Sequence, residues 1–570
     1  MKNNHSLLQQ ELLHPKNHRH NSNYHANQAA YFLEKKQPQQ ALEHARKAYD
    51  NCQEQPQFLY HLGLIWLELN DLHQAARYFF KVITIDSQHY GAIVNLALIK
   101  IMLGELHNAE TMLLKRNQTF PGEYDTLLNL AFCYEQQGQV DKAIAYYQKA
   151  AATNHKEKIN AINSQLFLLH YQWGITAEKL YAQHCRFSEY QLNKDAFTFN
   201  MQEYMSQPKI NIGYVSPDFK SHPVGSFMFP IVKYHNRQLF NIFCYSATEQ
   251  MDQMTQIFQS FAFKWMDIRS LSNETICQAI QKDHIHILVD LTGYTKNNHI
   301  EIFAMKPAPI QVSYLGYPGT TGLSQIDYRI TDQWADPPEL ESFYSEKLVR
   351  MPHCFLCYDP EYQSPDVADL PAKENGWISF GSFNRMPKLN DKILEIWAQI
   401  LMHIHNSRLF LKTKAFNEPL IRKKIYNFFE KRGIEKKRLI VLDHLPSRYD
   451  HLSLYNQMDI ALDTFPYHGT TTTCQALWMG VPVITLEGQP HVSRASVSIL
   501  HAIGLQECIA KTPDEYIDKA IQLSGDIPFL SQLRHQLRDL IRSSPLHQSQ
   551  KFVIELEGIY HRMWNKRKCV

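Results

Sequence analysis

Apolar residues follow two different patterns along this chain. From about residue 23 to residue 158 they lie in helical stretches with a regular repeat, and beyond about residue 207 they gather in short β-rich runs separated by helical stretches. Helical spacing predicts amphipathic helices, whereas short apolar runs bounded by turn residues predict buried strands. We therefore expect an all-helical first part followed by an α/β part.

The helical part repeats itself. Cut at residues 23, 57, 91 and 125, it gives four blocks of 34 residues. Each block has small residues at two positions twelve apart, which are Ala29, Gly63, Ala97 and Ala131 in one set and Ala41, Ala75, Ala109 and Ala143 in the other. This is the period and pattern of tetratricopeptide repeats, in which small side chains let paired helices approach closely. Such arrays commonly bind protein segments, so we expect a protein-binding surface; packing on a neighbour or self-association is the alternative.

The β-rich runs form two series. The first comprises INIGYVS, FNIFCYS, IHILVDL, IQVSYLG and DYRITD, and the second comprises WISFGSF, SRLFLK, RLIVLD, DIALDT and PVITLEG. Apolar strands alternating with helices predict parallel sheets covered on both faces. Two doubly wound lobes, divided near LPAKENG, are therefore expected, with ligands beyond the carboxyl ends of the strands and in the cleft between the lobes.

These patterns predict the boundaries of five segments. They are a flexible polar tail at 1–22, four repeats at 23–158, a helical connector at 159–206, a first lobe at 207–375 and a second lobe with C-terminal helices at 376–570. The last helical stretch, QSQKFVIELEGIYHRMWNKRK, is expected to cross back onto the first lobe.

Composition narrows the classes of partner. The 58 basic and 56 acidic residues nearly cancel, leaving a net charge of +2, so a nucleic-acid partner is not expected. No apolar run approaches the roughly 18 residues needed to span a bilayer, and the N-terminal stretch lacks the apolar core of a signal peptide. The ten cysteines are scattered rather than arranged as a disulfide framework. These features predict a cytoplasmic protein with no membrane contact.

Two groups of residues could suggest a metal. The histidines of the polar tail are His14, His18, His20 and His25, and a solvated tail explains them better than a metal site. Cys354 and Cys357 form one CxxC pair, but a structural zinc needs about four ligands and no second pair exists. We expect these two cysteines to pack on a strand.

The stretch DTFPYHGTTTTCQALWMG places four threonines, Thr470 to Thr473, where a strand and its exit loop lead into a helix. A helix N-terminus has free N–H donors and a partial positive charge, which suit a phosphate, and threonine hydroxyls add uncharged donors. A helix start with surplus threonines is the alternative. Neither G-x-G-x-x-G nor a P-loop motif occurs, which disfavours hydride transfer and P-loop phosphoryl transfer. GYPGTTG is expected to be a tight turn.

Several stretches resemble the O-GlcNAc transferase/Spindly family of nucleocytoplasmic protein glycosyltransferases, in a short bacterial form. They are IGYVSPDFKSHPVGSF, HILVDLTGYTKNN, KPAPIQVSYLGYPGTTGLSQIDYRITD, SFNRMPK, DIALDTFPYHGTTTTCQALWMGVPVITL and SRASVSIL, with the repeats before them. The resemblance implies a GT-B fold of two Rossmann-like lobes and inverting transfer of a sugar to protein Ser or Thr hydroxyls without a metal. The sequence has no D-x-D motif, by which many metal-dependent transferases hold a diphosphate.

The resemblance also implies site residues. His222, in SHPVG, matches a first-lobe histidine that faces sugar and acceptor, and Lys388, in SFNRMPK, matches a lysine that contacts the diphosphate; these two are the expected catalytic residues. The role of His222 is open, because an imidazole can donate, accept or take a proton. The expected nucleotide-sugar-binding residues are Lys388, Thr470, Thr471, Thr472, His468, Gly469, Gln475, His451 near the base, Arg385 and Lys412, with Lys414 flanking the cleft.

Three positions depart from the family. Gln475 stands where an acid commonly holds the ribose hydroxyls, His468 where asparagine is usual, and Arg385 where human-type transferases have glutamine. UDP-GlcNAc is the expected donor and protein Ser or Thr the acceptor. GDP-fucose is the alternative donor, because Spindly-type members include fucosyltransferases. Transfer to asparagine, transfer to a small molecule or polysaccharide, and a non-catalytic repeat scaffold also stay open.

Overall fold

The computed structural model describes residues 19–35, 37–52, 55–191, 196–360, 364–443 and 445–569. The chain divides into two compact units, residues 1–136 and residues 137–570. The polar tail expected at 1–22 lies outside the described residues as far as residue 18, and a helix begins at Arg19. In the described ranges, no helix combines the length and apolarity needed to cross a bilayer.

The described part of the first unit consists of seven helices with the predicted period. They are α1 (Arg19–Glu34), α2 (Pro38–Cys52), α3 (Pro56–Glu68), α4 (Leu72–Ile85), α5 (Tyr90–Leu103), α6 (Leu106–Thr119) and α7 (Tyr124–Gln136). The small residues expected at the helix contacts are buried, and a Cβ atom added to Gly63 would lie 2.6 Å from the ring of Phe79. Close helix approach therefore requires the small side chains that the sequence repeats.

The second unit opens with four helices. They are α8 (Val140–Ala151), which falls in the fourth repeat, then α9 (Lys158–Leu169), α10 (Ala177–Gln191) and α11 (Met201–Met205). The helices α9 and α10 lie in the predicted connector. The five segment boundaries drawn from the sequence stay predictions.

A seven-stranded sheet follows. Its strands are β1 (Ile210–Ser216), β2 (Phe240–Ser246), β3 (Lys264–Asp267), β4 (Ile287–Asp290), β5 (Ile310–Tyr314), β6 (Tyr328–Asp332) and β7 (Lys347–Met351). They pair in parallel in the order β3-β2-β1-β4-β5-β6-β7. The connecting helices are α12 (Pro223–Tyr234), α13 (Gln253–Phe261), α14 (Asn273–Lys282) and α15 (Ile300–Ala304).

A second parallel sheet has six strands. They are β8 (Ile378–Ser382), β9 (Ser407–Lys412), β10 (Leu439–Leu442), β11 (Ile460–Leu462), β12 (Val483–Leu486) and β13 (Ile509–Ala510), in the order β10-β9-β8-β11-β12-β13. The helices of this lobe are α16 (Pro371–Asn375), α17 (Asp391–His403), α18 (Pro419–Glu430), α19 (Arg448–Ser453), α20 (Thr471–Trp478), α21 (Ala495–Ala502), α22 (Pro513–Gly525) and α23 (Ile527–Ser543). All ten predicted strands are confirmed. The sequence pattern missed β3, β7 and β13, which lie at sheet edges.

The final helix, α24 (Ser549–Lys568), packs on the first sheet rather than on its own lobe. Glu557 accepts hydrogen bonds from the His235 ring (2.9 Å) and from the backbone N–H of Asn236 (2.7 Å). The hydroxyls of Tyr560 and Tyr214 lie 3.2 Å apart within the core. The predicted crossing of the C-terminal helix onto the first lobe is therefore confirmed.

Side-chain contacts also join the two lobes near β6. The hydroxyl of Ser498, on α21, donates to Asp332 Oδ2 at 2.5 Å, and the rings of Trp334 and His501 stack with centroids 3.6 Å apart. The prediction that Cys354 and Cys357 lie on a strand is wrong, because β7 ends before them. Both are buried in the segment after β7, with their sulfur atoms against the hydroxyls of Ser498 and Ser549 respectively.

Candidate functional site

The carboxyl ends of the central strands of the second sheet bring the expected site residues to one edge. The segment from Phe383 to Lys388 follows β8, Lys412 ends β9, and the loop from Asp463 to Thr470 joins β11 to α20. These strands are neighbours in a parallel sheet, so their carboxyl ends open onto the same side. Ligand sites of such sheets form at this edge, and most of the predicted residues lie there.

The four threonines are not equivalent. The hydroxyl of Thr473 points inward and lies 2.9 Å from that of Ser496, and the hydroxyl of Thr472 donates to Asn384 Oδ1 at 3.1 Å. By contrast, the hydroxyls of Thr470 and Thr471 make no hydrogen bond to any described residue and remain accessible. The sequence therefore provides two threonines that build the helix start and two whose hydroxyls are available to a ligand.

Thr470 also has an unusual backbone. Its φ is 50° and its ψ is −94°, a conformation that β-branched residues rarely adopt. Such strain persists where the surrounding structure holds it, and it concentrates at functional sites. Thr470 precedes the first turn of α20, whose N–H groups have no partners within the helix, although the N–H of Thr472 donates to the carbonyl oxygen of Gly469 at 3.3 Å. We call Lys388, Thr470, Thr471, Thr472 and these N–H groups the threonine cradle.

The loop beneath the cradle is fixed by Asp463 and Gly469. One carboxylate oxygen of Asp463 accepts from the backbone N–H of Gly469 at 2.8 Å, and the other accepts from the Thr485 hydroxyl at 2.8 Å. A Cβ atom at Gly469 would lie 2.5 Å from the hydroxyl oxygens of both Thr472 and Thr473. Glycine therefore lets the backbone approach the threonine side chains closely enough to shape the cradle.

His468 serves the loop rather than the open cleft. Its ring is fully buried, with Nε2 2.9 Å from the carbonyl oxygen of Leu486 and Nδ1 3.2 Å from the backbone N of Ser496. Nε2–H therefore donates to the carbonyl and Nδ1 accepts from the amide, which describes a neutral imidazole. Burial lowers the pKa of His468 in agreement with this state. Its backbone carbonyl, rather than its side chain, is the part that contacts another site residue.

That residue is Lys388. Its Nζ donates to the carbonyl oxygen of His468 at 2.6 Å and lies 3.4 Å from Asn384 Oδ1 and 4.4 Å from the centre of the Tyr467 ring. The side chain is buried, and burial lowers its pKa to about 7 although nearby Asp463 favours the charged form. Lys388 Nζ and the Thr472 hydroxyl both contact Asn384 Oδ1, so the amine lies beside the start of α20. A buried amine at a helix N-terminus is an anion-binding arrangement, and the amine becomes fully charged only when an anion compensates it.

A second hydrogen-bonded chain lies on the β9 side of the cradle. Lys412 Nζ contacts His451 Nδ1, and His451 Nε2 lies 3.2 Å from Gln475 Oε1. Lys412 is buried beside the ring of Phe383, and burial lowers its pKa to about 8. Three residues expected from the resemblance are therefore connected to one another.

The first lobe contributes His222, which immediately precedes α12. Asp218 Oδ2 and the backbone N of Val224 both lie 3.4 Å from His222 Nδ1. If Nδ1 accepts from the N–H of Val224, the ring proton lies on Nε2. If Nδ1 carries the proton and donates to Asp218, Nε2 is an acceptor. Burial, with smaller contributions from Lys220 and Arg385, lowers the pKa of His222 although nearby Asp218 favours the charged form, so the neutral imidazole predominates at pH 7. Arg385 also contributes to lowering the pKa of Lys388, so its charge is near residues of both lobes.

Aromatic residues of the connector were not identified from the sequence. Tyr171 stacks on Tyr467 with ring centroids 4.4 Å apart, and Trp173 meets Phe465 edge-on at 4.9 Å. Tyr467 therefore has Tyr171 against its ring and Lys388 above it. The segment YQW after α9 carries no motif, and only its aromatic content could have drawn attention.

The same connector is attached to the first lobe through the predicted GYPGTTG turn. Tyr317 in this turn has its hydroxyl 2.6 Å from Nε2 of His184 and 3.2 Å from Nε2 of His170. A Cβ atom at Gly316 would lie 1.7 Å from the carbonyl oxygen of Leu291, so glycine is required there. This glycine-rich loop builds the lobe and receives the connector, as its turn prediction and lack of a phosphate motif indicated.

Among the described residues, no group of three or more His, Cys, Asp or Glu side chains is arranged to hold a metal ion.

Comparisons with known proteins agree with this architecture. The family model described as glycosyl transferase family 41 matches residues 138–369 and 362–556, and a tetratricopeptide repeat model matches residues 26–89 and 103–156. The solved structure of a variant of the Thermobaculum terrenum O-GlcNAc transferase is 31% identical, with a TM-score of 0.84 over 90% of this chain and 98% of that chain. The predicted fold class, tetratricopeptide repeats followed by a GT-B pair of Rossmann-like lobes, is confirmed.

Curated relatives match the same region. The protein called probable UDP-N-acetylglucosamine–peptide N-acetylglucosaminyltransferase SPINDLY of Arabidopsis thaliana is 40% identical over 73% of this chain and 45% of its own length. The similarly described protein SEC of the same plant is 34% identical over 69% of this chain and 41% of its own length. The chain thus spans less than half the length of these relatives. From the family match and these identities, this chain belongs to glycosyl transferase family 41.

Proposed function

We propose that this chain is a glycosyltransferase that holds the diphosphate of a nucleotide sugar in the threonine cradle and transfers the sugar to Ser or Thr hydroxyls of proteins. The observation that carries the proposal is the cradle itself: a buried lysine, two accessible threonine hydroxyls and a helix N-terminus meet at the carboxyl edge of a parallel sheet. All of these groups suit an anion, and together they suit a diphosphate.

The reaction requires a leaving group to be stabilised. An acceptor hydroxyl oxygen attacks the anomeric carbon from the face opposite the diphosphate, so the configuration at that carbon inverts. The bond from the anomeric carbon to the phosphate oxygen breaks, and its electron pair leaves with the nucleoside diphosphate. The proton of the acceptor hydroxyl passes to a base, a role that His222 can take in the tautomer that leaves Nε2 unprotonated. The ammonium of Lys388, the hydroxyls of Thr470 and Thr471 and the N-terminus of α20 would meet the developing charge. We propose that these groups suffice without a metal ion.

His222 is the first-lobe residue that we propose faces the sugar and the acceptor. Its neutral imidazole has two tautomers within reach, set by Asp218 and Val224. One presents an N–H donor at Nε2 and the other presents an acceptor there. Substitution by asparagine keeps polarity but removes the titrating ring, and we expect it to lower turnover while leaving nucleotide affinity within about twofold.

UDP-GlcNAc is the proposed donor, in line with the names of the relatives SPINDLY and SEC. GDP-fucose is the second candidate, because identity to SPINDLY (40%) exceeds identity to SEC (34%) and Spindly-type members include fucosyltransferases. The tetratricopeptide repeats support protein acceptors, which the array would bind as other arrays bind protein segments. A cytoplasmic location stays a prediction, drawn from the scattered cysteines together with the absence of a signal-peptide pattern and of a membrane-spanning run in the sequence.

The test is transfer by the purified full chain in EDTA. UDP-GlcNAc, UDP-glucose and GDP-fucose are supplied separately, with a bacterial lysate as the source of acceptor proteins. Lys388→Ala is compared with Lys423→Ala, which removes a lysine from the exposed face of α18. We expect the unaltered chain to turn over one donor. Lys388→Ala should lower the turnover rate at least a hundredfold, roughly the effect of removing one group that stabilises the transition state. Lys423→Ala should leave the rate unchanged.

Different results would change the proposal. Turnover that appears only after a divalent cation is added would refute metal independence but keep the transferase. Sugar attached to asparagine would move the acceptor class. Nucleotide binding without turnover of any donor, in a chain that is folded, would instead support the non-catalytic scaffold.

A further inference from the structure

The contacts of Lys412, His451 and Gln475 fix which groups donate hydrogen bonds and which accept. A lysine ammonium has only donors. His451 Nδ1, which faces Lys412 Nζ, must therefore accept, and the proton of the neutral ring lies on Nε2. A neutral histidine has one donor and one acceptor, so the contact with a charged Lys412 sets this tautomer, and Lys412 is mostly charged at pH 7 because burial lowers its pKa only to about 8.

The tautomer in turn orients the amide of Gln475. His451 Nε2–H needs an acceptor, and Gln475 Oε1 is 3.2 Å away. The amide nitrogen of Gln475 is then directed away from the imidazole. Within the described ranges this nitrogen makes no hydrogen bond, and it is not among the enclosed polar atoms that lack a partner. It therefore has at least one N–H available on the open side.

Gln475 lies on the ligand side of α20. It follows Thr471 by four residues and Thr472 by three, and residues at these spacings share one face of a helix. The hydroxyl of Thr471 is accessible and belongs to the threonine cradle. A molecule whose diphosphate lies in the cradle would continue past Gln475 toward His451 and the ring of Phe383.

We propose that Gln475 is a specificity-determining residue that donates an N–H to an oxygen of the nucleoside part of the bound nucleotide sugar, and that Lys412 and His451 are positioning residues that hold its amide in this orientation. This inference rests on the proposed function. An acid at this position would act in the opposite way, because a carboxylate can only accept from ligand hydroxyls. The glutamine selects a ligand oxygen with a free lone pair, either a carbonyl of the base or an ether or hydroxyl oxygen of the ribose.

Binding of UDP and of GDP to the full chain, measured by titration calorimetry, tests the proposal. Gln475→Glu keeps the shape and replaces the donor by an acceptor, so the better-bound nucleotide should lose roughly ten- to a hundredfold in affinity. Lys412→Met should also weaken nucleotide binding. In a Gln475→Leu background, however, it should weaken binding by less than about a further twofold, because the lysine acts through the amide of Gln475. Lys423→Met, on the exposed face of α18, is the control that should change nothing.

The tautomer gives a readout independent of the ligand. The ring ¹⁵N signals of His451 are assigned as those lost in His451→Gln. In the unaltered chain they should show the Nε2–H tautomer. In Lys412→Met they should show a mixture of tautomers, because the lysine no longer holds Nδ1 as an acceptor. An Nδ1–H tautomer in the unaltered chain overturns the inference even if a variant fails to fold. The inference is overturned, while the proposed function stands, if Gln475→Glu and Gln475→Leu leave the nucleotide affinity unchanged. It is also overturned if Lys412→Met weakens binding as much in the Gln475→Leu background as in the unaltered chain. Binding of neither nucleotide to the unaltered chain overturns both.

Discussion

Lys388 should take up a proton when a nucleoside diphosphate binds. Burial holds the pKa of its ammonium at about 7 in the free protein, against an ordinary value of 10.5. Its immediate partners are a backbone carbonyl, an amide oxygen and the ring of Tyr467, none of which carries a full charge. A diphosphate in the cradle would supply the missing negative charge and return the pKa toward its ordinary value.

The size of the effect follows from these values. At pH 7.5 a group with a pKa of about 7 is about one quarter protonated, so binding should take up about three quarters of a proton at Lys388. Lys412, whose pKa burial lowers to about 8, is about three quarters protonated at that pH and can add at most about one quarter of a proton. Between about pH 7.5 and 9 the affinity should approach a tenfold fall per pH unit, because binding requires the charged form.

Calorimetric titration of UDP and GDP in buffers with different enthalpies of ionisation measures this uptake directly. Lys388→Met should remove most of the uptake at pH 7.5, whereas Lys412→Met should remove no more than about one quarter of a proton. Proton release on binding, or the same uptake in Lys388→Met, would show that Lys388 is not the group that meets the diphosphate.

Three further predictions concern stability. Lys388→Met should increase the free energy of unfolding at pH 7 by up to about 5 kcal/mol, because the pKa of Lys388 is lower in the folded than in the unfolded chain and the cost of burying the amine is fully present below pH 7. In chemical denaturation, the stability difference between the variant and the unaltered chain should be smaller at pH 9 than at pH 7. A variant less stable than the unaltered chain at pH 7 would contradict the cost assigned to the buried amine. Glu557→Ala should cost roughly 1–3 kcal/mol in chemical denaturation, because the buried His235 ring, neutral since burial lowers its pKa, loses its acceptor. An unchanged midpoint would argue against docking by this contact. Gly316→Ala should abolish soluble folded protein, because its Cβ would lie 1.7 Å from a backbone oxygen. The control is Gly558→Ala in α24, whose added Cβ would have its nearest atom 3.4 Å away, and this variant should fold with up to about 1 kcal/mol of added stability.

The sequence determined the architecture because its signals are local and repeated. Small residues at a fixed period in the first part and apolar runs between helices in the second need no knowledge of the fold to be recognised. The loop from Asp463 to Thr470 could be assigned to the carboxyl end of a strand for the same reason. The edge strands β3 and β7 were missed because partly exposed polar positions interrupt their apolar runs, and β13 was missed because it has only two residues.

The site itself could be predicted only in part. Motifs singled out His222, Lys388, Gln475 and the threonines, but could not say which of their atoms remain available. His468 and His451 have the same chemistry as residue types, yet the fold buries the first against two backbone groups and joins the second to a lysine and an amide.

The tertiary structure alone decided the charge state and the surroundings of the key lysine. Lys388 is an ordinary basic residue in the sequence, and its lowered pKa arises because chain segments far apart remove water from it. Tyr171, about 300 positions before Tyr467, stacks on the ring that lies under Lys388. Desolvation and stacking depend on distances between remote segments, so neither leaves a trace in local spacing, and both become visible only when the chain is folded.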